Sequence, residues 1–390
     1  MSNKPTIAAT PPMGWNSWNM FGHAVNEDAV RSTAEALRDL GMQELGYNYI
    51  VVDDCWSVKG KRDGNGDLIA DPAKFPSGMA ALADYLHSLG FKFGIYSDAA
   101  DRTCGGFPGS YGHEEQDAAL WASWGVDFLK YDYCHAPKDQ ASAIERYRRM
   151  GEALRGTGRE ILYSVCEWGG RSPHLWARSV GGHMWRISGD VYDSWVNVRV
   201  EPSDGPAYYG LGVDVIFDKA ADVQPYGGPG GWNDLDMLIV GLKGKGQIKG
   251  NGLSFYEYQT HMSLWTIACS PLMIGCDVRT LDSETAALLT NREVLAVNQD
   301  VLGIPGRRVR SENGCEVWVK PLADGSVAAA IINRGSWWND FTLRASDLGM
   351  LDTPKLVRDL WAQADVAEFG ETLEFRVEAH QTRFLRVSGS

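Results

Sequence analysis

A short stretch, FLKYD at 128–132, carries a lysine and an aspartate at alternate positions of what reads as a β-strand. Side chains two apart share one face of a strand, so Phe128, Lys130 and Asp132 point one way and Leu129, Tyr131 and Tyr133 the other. Charges turned inward are costly unless they are paired or put to use. The same parity groups Arg186, Ser188 and Asp190 in WRISGD, Asp234 with Asp236 in WNDLDM, and Tyr96 with Asp98 in GIYSD, while Asp53 and Asp54 close another apolar run. At least six carboxylates then share two fixed cations, Lys130 and Arg186. Such a set can hold a metal ion, or it can read hydroxyls and manage protons. Metal is the poorer fit, because no HxH or HExxH pattern accompanies the strand ends. HEEQD at 113–117 has aspartate where a second histidine belongs and reads as a helix start. DGNGD at 63–67 lacks the glycine and the closing glutamate of a calcium loop and reads as a turn. Cleaving a glycosidic bond needs two carboxyl groups on opposite sides of the bond, one to protonate the leaving oxygen and one to attack or to activate water. Carboxylates facing inward from separate strands meet that need; spacing alone does not say which two.

The elements that must position these groups repeat a coarse unit. Short apolar runs ending in polar residues stand at 47–54, 91–98, 127–134, 160–168, 184–190, 232–240 and 270–277, with an early one at 13–18. Amphipathic stretches at 26–40, 78–89, 114–124 and 139–154 separate several of them. Strands alternating with helices imply parallel strands joined by right-handed crossovers. About eight strands with polar residues at nearly every carboxyl end predict a (β/α)8 TIM barrel. A doubly wound open sheet competes, but no GxGxxG follows the first strand and an open sheet would gather its site at one switch point. From about residue 298 the pattern changes to short strands at 315–320, 326–333, 340–343, 356–359, 372–377 and 382–387, with 298–310 as connector. The expected organisation is a barrel catalytic domain over 1–300 and a C-terminal antiparallel β-sandwich over 301–390.

Composition narrows the partners. A net charge of −13 disfavours nucleic acid and anionic membrane surfaces. Fifteen Trp and fifteen Tyr suit sugar recognition, since aromatic faces accept the polarised C–H groups of a pyranose. Residues 1–12 are polar, with no apolar run after the lysine, and no segment reads as membrane-spanning. The chain therefore reads as soluble, with the cytoplasm favoured and secretion compatible with a leader already removed. Seven scattered cysteines without a CxxC pair argue against structural zinc and against a dense disulfide framework.

PMGWNSW, VVDDCW, GIYSDA, FPGSYGHEEQDA, FLKYDYC, YSVCEW, WRISGD, GPGGWNDLDML and IGCDVR, in that order, resemble glycoside hydrolase family 27, and within it the α-galactosidases of plant and bacterial type. The resemblance covers nearly the whole chain. It implies a retaining exo-glycosidase that removes terminal α-D-galactosyl residues through a covalent glycosyl-enzyme, with no cofactor and no metal. Asp132 is implied as nucleophile and Asp190 as general acid and then base, their carboxyls about 5–5.5 Å apart as in retaining enzymes. Asp190 is expected to arrive protonated, and Lys130 and Arg186 to keep Asp132 ionised. Asp53 and Asp54 are implied to grip the 4- and 6-hydroxyls, Lys130 the 3- and 4-hydroxyls, and Cys166, Glu167 and Arg186 to sit by the 2-position. Trp18, Tyr96, Cys104, Trp168, Asp236 and Met237 are implied to line the pocket. The implied substrates are α-galactosylated oligosaccharides or polysaccharides, and a homo-oligomer is compatible with the sequence.

Specificity is implied by CEW at 166–168, where relatives acting on N-acetylgalactosamine carry small residues and this chain has Glu167. A β-L-arabinopyranoside lacks the hydroxymethyl arm that the Asp53 and Asp54 pair would hold. The departures are equally informative. Where relatives commonly have a cysteine bridged to that of DDCW, this chain has His23, so Cys55 is expected to be free, whereas the implied Cys104–Cys134 bridge is retained. The segment 199–227 is longer than in the plant enzymes and could shape leaving-group subsites or an oligomer contact.

Overall fold

The computed structural model describes residues 7–201, 207–350 and 355–389. Eight parallel strands form one curled sheet: β1 (Met13–Asn16), β2 (Tyr49–Val51), β3 (Lys92–Asp98), β4 (Phe128–Asp132), β5 (Leu162–Val165), β6 (Met184–Arg186), β7 (Trp232–Asp234) and β8 (Leu272–Ile274). Their order is β7-β6-β5-β4-β3-β2-β1-β8, and the segment just past β7 closes the ring by pairing Leu238 with Ile274. This is the TIM barrel expected from the alternation.

Helices α1 (Glu27–Asp39), α2 (Gly78–Ser88), α3 (Glu114–Ser123), α4 (Gln140–Gly156), α5 (Asp214–Val223) and α6 (Phe255–Ile267) fill the crossovers, and α7 (Ser283–Thr290) and α8 (Arg292–Asn298) follow β8. Their starts are written locally: Asn26 and Asp139 cap the N-termini of α1 and α4 through side-chain oxygens, and Ser254 with Glu257 makes a capping box on α6. Between β5 and β6 two 3₁₀ turns, Pro173–Leu175 and Ala177–Val180, stand where a helix would. DGNGD forms the turn of the hairpin Ser57–Arg62 against Leu68–Ala70, and HEEQD opens α3, as expected.

Parity within β4 is as read. Phe128 joins Val51, Leu162, Met184, Trp232 and Met273 in the cluster filling the barrel interior, while Leu129, Tyr131 and Tyr133 belong to the larger cluster between sheet and helices. The interior is thus packed with apolar side chains below, and the polar ends of the strands are concentrated at its carboxyl mouth.

Beyond α8 come β9 (Arg307–Glu312), β10 (Cys315–Pro321), β11 (Val327–Asn333), β12 (Asn339–Arg344), β13 (Lys355–Asp359), β14 (Ala364–Phe369), β15 (Thr372–Val377) and β16 (Thr382–Gly389). They form a six-stranded antiparallel sheet, β9-β10-β11-β16-β13-β14, and a β12–β15 pair. Val317, Ile331, Phe341, Leu343, Val377 and Leu385 pack between the two layers, which makes a sandwich. Two strands, β9 and β14, were not expected; β9 begins inside the stretch read as connector.

The outer face of the sandwich adds Trp318, Ala330, Ile332 and Phe384 to the main barrel cluster, against α6, whose residues from Tyr258 to Ile267 are all buried. Polar contacts reinforce this seam. Arg334 pairs with Asp214 and Asp218 on α5 at 2.8 and 3.1 Å, and the His380 ring stacks on Trp195 at 4.3 Å. No helix among the described residues is long and apolar enough to cross a membrane.

Candidate active site

Asp132, the last residue of β4, is buried at the barrel mouth. Its Oδ2 accepts from the Tyr96 hydroxyl at 3.1 Å and its Oδ1 from the Tyr133 N–H at 3.1 Å. Burial is the main force on its pKa and raises it; Lys130 opposes, Asp190 and Asp53 add, and the balance stands at about 6. Asp98 lies beside it, its carboxyl within 4.8 Å of that of Asp132 and fixed by the N–H groups of Ala100 and Cys134, each at 2.9 Å. Burial and then the Asp132 charge push Asp98 well above the usual carboxylate range. Cys104 and Cys134 are bridged, Cα atoms 5.2 Å apart, tying the loop after β3 to the loop after β4. These two sulfurs complete a geometric cluster with Asp98 and Asp132, but the bridge leaves them no thiolate to offer a metal.

On the β2 side, Asp53 Oδ2 takes a hydrogen bond from Asn16 Nδ2 at 2.7 Å and an ion pair from Lys130 at 2.8 Å. Burial works against the Lys130 charge, yet Asp53 and Asp132 outweigh it and hold the ammonium above its ordinary range. Asp54 is held by the N–H groups of Cys55 at 2.6 Å and Gly105 at 2.7 Å, and burial raises its pKa. Trp18 is half-buried at the end of β1, its N–H on Asn16 Oδ1 at 2.8 Å.

Across the mouth, Arg186 Nη2 pairs with Asp236 at 2.9 Å and with Asp190 at 3.0 Å, and Nη1 lies 3.9 Å from Cys166 Sγ. Asp236 in turn accepts the Val191 N–H at 2.8 Å, which pins the loop next to Asp190. Burial lifts Asp236 to about 7, with Arg186 opposing and Asp190 and Asp234 reinforcing. Glu167 is fully buried; its Oε2 takes Arg171 at 3.0 Å and its Oε1 has no partner. Trp168 and then Gly169 follow, both at positive φ, and a Cβ on Gly169 would stand 2.0 Å from the Ile187 carbonyl. Only glycine lets the CEWG turn press so closely on β6. Cys55, His135, Trp168 and Asp236 are non-glycine residues at positive φ, each a few positions past a barrel strand. Backbone strain of this kind concentrates at sites where side chains are aimed rather than merely packed.

The two candidate carboxylates differ in setting. The Asp132 side chain is buried and held by two donors, whereas the Asp190 side chain is 46% exposed and tied to one cation. Ion pairs and hydrogen bonds join Asp53 with Lys130, Tyr96 with Asp132, and Arg186 with Asp190 and Asp236 at this mouth, whereas Trp168 packs on the cluster between sheet and helices. One expectation needs correction. Arg186 does not pair with Asp132; it serves Asp236 and Asp190, because β6 and β7 run in register with Arg186 opposite Asp234. Met237 packs with Phe128 and Met273 and also lines the small cavity bordered by Lys130, Cys166, Arg186 and Asp236. Cys55 is free as expected, its sulfur 3.2 Å from His23 Nδ1. Of the long segment at 199–227, residues 202–206 lie outside the described residues; the rest is a hairpin, helix α5 and a 3₁₀ turn.

Sequence reasoning passed over Asn16, Arg171 and Ser17, whose hydroxyl accepts the Asp53 N–H at 2.9 Å. Asn16 ends β1 as the other site residues end their strands, a signal present in NSW; Arg171 meets Glu167 through a turn that no periodicity announces. A cleft of about 780 Å³ between α3 and α4 on the outer wall contains none of these groups.

The family model described as alpha galactosidase A matches residues 10–300, and that described as alpha galactosidase C-terminal beta sandwich domain matches residues 312–387. An alpha-galactosidase of Cyamopsis tetragonoloba is 45% identical over 376 residues, covering 96% of this chain and 85% of the relative. Alpha-galactosidase A of Cellvibrio japonicus is 42% identical over 393 residues, covering 98% and 93%. The crystal structure of alpha-galactosidase I from Mortierella vinacea superposes with a TM-score of 0.91 at 37% identity, over 100% of this chain and 99% of that one.

Proposed function

The chain belongs to the α-galactosidase family and hydrolyses α-galactosyl bonds, and on that premise we propose that Asp132 is the nucleophile and Asp190 the general acid and base. The observation carrying this assignment is the asymmetry between them. A nucleophile must be held at one angle to the anomeric carbon and stripped of water, as the buried, doubly bonded Asp132 is. A residue that gives a proton to a departing sugar and later takes one from water must reach the open side, as Asp190 does. In the first step an Asp132 oxygen bonds to C1 while the C1–O bond breaks and Asp190 protonates the leaving oxygen. In the second, Asp190 takes a proton from water, whose oxygen bonds to C1 as the Asp132 ester breaks. Two inversions retain the configuration.

Asp53, Asp54 and Lys130 hold the 3-, 4- and 6-hydroxyls in this reading, and Glu167 and Arg186 attend the 2-position. The partnerless, buried Oε1 of Glu167 supports it, since a buried acceptor gains from a donor that a sugar hydroxyl supplies. Trp18, Tyr96, Cys104, Cys166, Trp168 and Asp236 form the walls. The substrates are terminal α-galactosides of oligosaccharides or polysaccharides, the chain working as a 1–300 barrel with a 301–390 sandwich. Asp132→Ala with azide tests the roles: β-galactosyl azide is the expected product, and α-galactosyl azide from Asp190→Ala. The converse pairing of variants and anomers would reverse the assignment.

A further inference from the structure

The chain beyond Asp190 leaves the barrel and returns alongside it. It runs out to a hairpin of Val198–Val200 against Tyr208–Gly210, with Tyr208 opposite Val200, Tyr209 opposite Arg199 and Gly210 opposite Val198. On the return, the Leu211 N–H donates to the Asp190 carbonyl at 3.1 Å and the Tyr192 N–H to the Leu211 carbonyl at 2.8 Å. The hairpin is thus stapled to the backbone of the candidate acid itself. Gly210 permits the approach, because a Cβ there would stand 2.2 Å from Tyr192 Cδ2. The Tyr192 ring accordingly lies against the hairpin face shared by Gly210 and Tyr208, two apart on one strand. The two phenols meet, with the Tyr192 and Tyr208 hydroxyls 2.8 Å apart. Burial first, then the Tyr208 hydroxyl and the charge of Asp190, push Tyr192 above its ordinary pKa range. Tyr192 is buried, but Tyr208 remains 49% exposed.

Resting on the reading of Asp190 as the acid, we propose that Tyr208 forms the leaving-group subsite, an aromatic platform that receives a hexopyranose leaving group. The acid must touch the glycosidic oxygen, so the departing sugar lies on the exposed side of Asp190, and the hairpin hydrogen-bonded to the Asp190 backbone is a segment adjoining it. An exposed tyrosine whose hydroxyl is tethered has its ring set in advance and loses little freedom when a pyranose face stacks on it. The oxygen pair at its edge adds polar partners for sugar hydroxyls. Tyr209, 66% exposed on the opposite face of the same strand, provides an internal control.

The test compares kcat/KM for melibiose, whose leaving group is glucose, with that for α-galactosyl fluoride, whose leaving group has no ring. Tyr208→Ala is expected to lower the melibiose-to-fluoride ratio about five- to tenfold. Tyr208→Phe, which keeps the ring, should keep more than about half of that ratio, and Tyr209→Ala should leave both substrates near wild type. An unchanged ratio in Tyr208→Ala, an equal fall in Tyr209→Ala, or an equal fall in Tyr208→Phe would overturn the platform. Asp190→Ala separates the two readings. Retention of kcat/KM for the fluoride, whose departure precedes the base-assisted step, with loss of kcat/KM for melibiose supports Asp190 as the acid whatever Tyr208 does, and an undiminished kcat/KM for melibiose removes that premise.

Discussion

Lys130 stands between two jobs, gripping Asp53 at 2.8 Å and restraining the pKa of Asp132, and Lys130→Gln separates them. The glutamine amide can still donate to Asp53, but the charge is gone. With Lys130 present, burial leaves Asp132 at about 6. A cation beside a carboxylate lowers its pKa by about 1–3 units, so its removal should bring Asp132 to about 8 if the middle of that range applies. That is about 2.7 kcal/mol of lost preference for the ionised form. At pH 6 the wild-type nucleophile is about half ionised and the variant about 1%, a roughly fiftyfold loss; at pH 9 the two differ by only about a tenth. Any further loss that persists at high pH measures the sugar hydroxyl contacts of Lys130. α-Galactosyl fluoride is the appropriate substrate, because fluoride leaves with little help from an acid and the profile then reports the nucleophile. A uniform loss from pH 4 to 9 with an unmoved acidic limb would show that Lys130 does not tune Asp132. Circular dichroism and thermal melting should accompany the rates, since Asp53 is buried and depends on this partner.

Replacing both Cys104 and Cys134 by serine opens a loop spanning 30 residues, which in the chain-entropy account lowers stability by about 3–4 kcal/mol. Urea denaturation should show the shift, and reductant should lower the midpoint of the native protein but not of the variant; equal midpoints would show that the bridge contributes nothing. Glu167→Ser is expected to raise the kcat/KM ratio of α-N-acetylgalactosaminide over α-galactoside about tenfold or more, by removing a buried anion from the 2-position. An unchanged ratio in paired p-nitrophenyl assays would place the discrimination elsewhere.

Period-two reading of FLKYD separated the interior residues Phe128, Lys130 and Asp132 from the outward Leu129, Tyr131 and Tyr133, because a strand fixes side-chain direction without reference to its neighbours. Ion pairs followed less well. The partners of Arg186 depend on the register of β6 against β7, which no single strand encodes. The Glu167–Arg171 and Tyr192–Tyr208 contacts likewise arise from turns and a returning hairpin. Strand β9, RRVRSE, went unread because its residues are mostly charged and none is buried, so no apolar alternation marks it. Such edge strands are defined by the neighbour that pairs with them.

The seam between α6 and the outer face of the sandwich bears on how the molecule can change over time. Trp318, Ala330, Ile332 and Phe384 cover a helix that is buried on nearly every side, and its other flank supports the wall carrying Asp236 through the Trp265 indole on the Asp236 carbonyl at 2.7 Å. The barrel carries every pocket carboxylate, on its strands or on the loops that follow them, yet cut free near residue 301 it would present that helix to water. The sandwich is therefore part of the scaffold of the site: substitutions on its face toward α6 should disturb the helix that backs the Asp236 wall, although that face never touches the pocket.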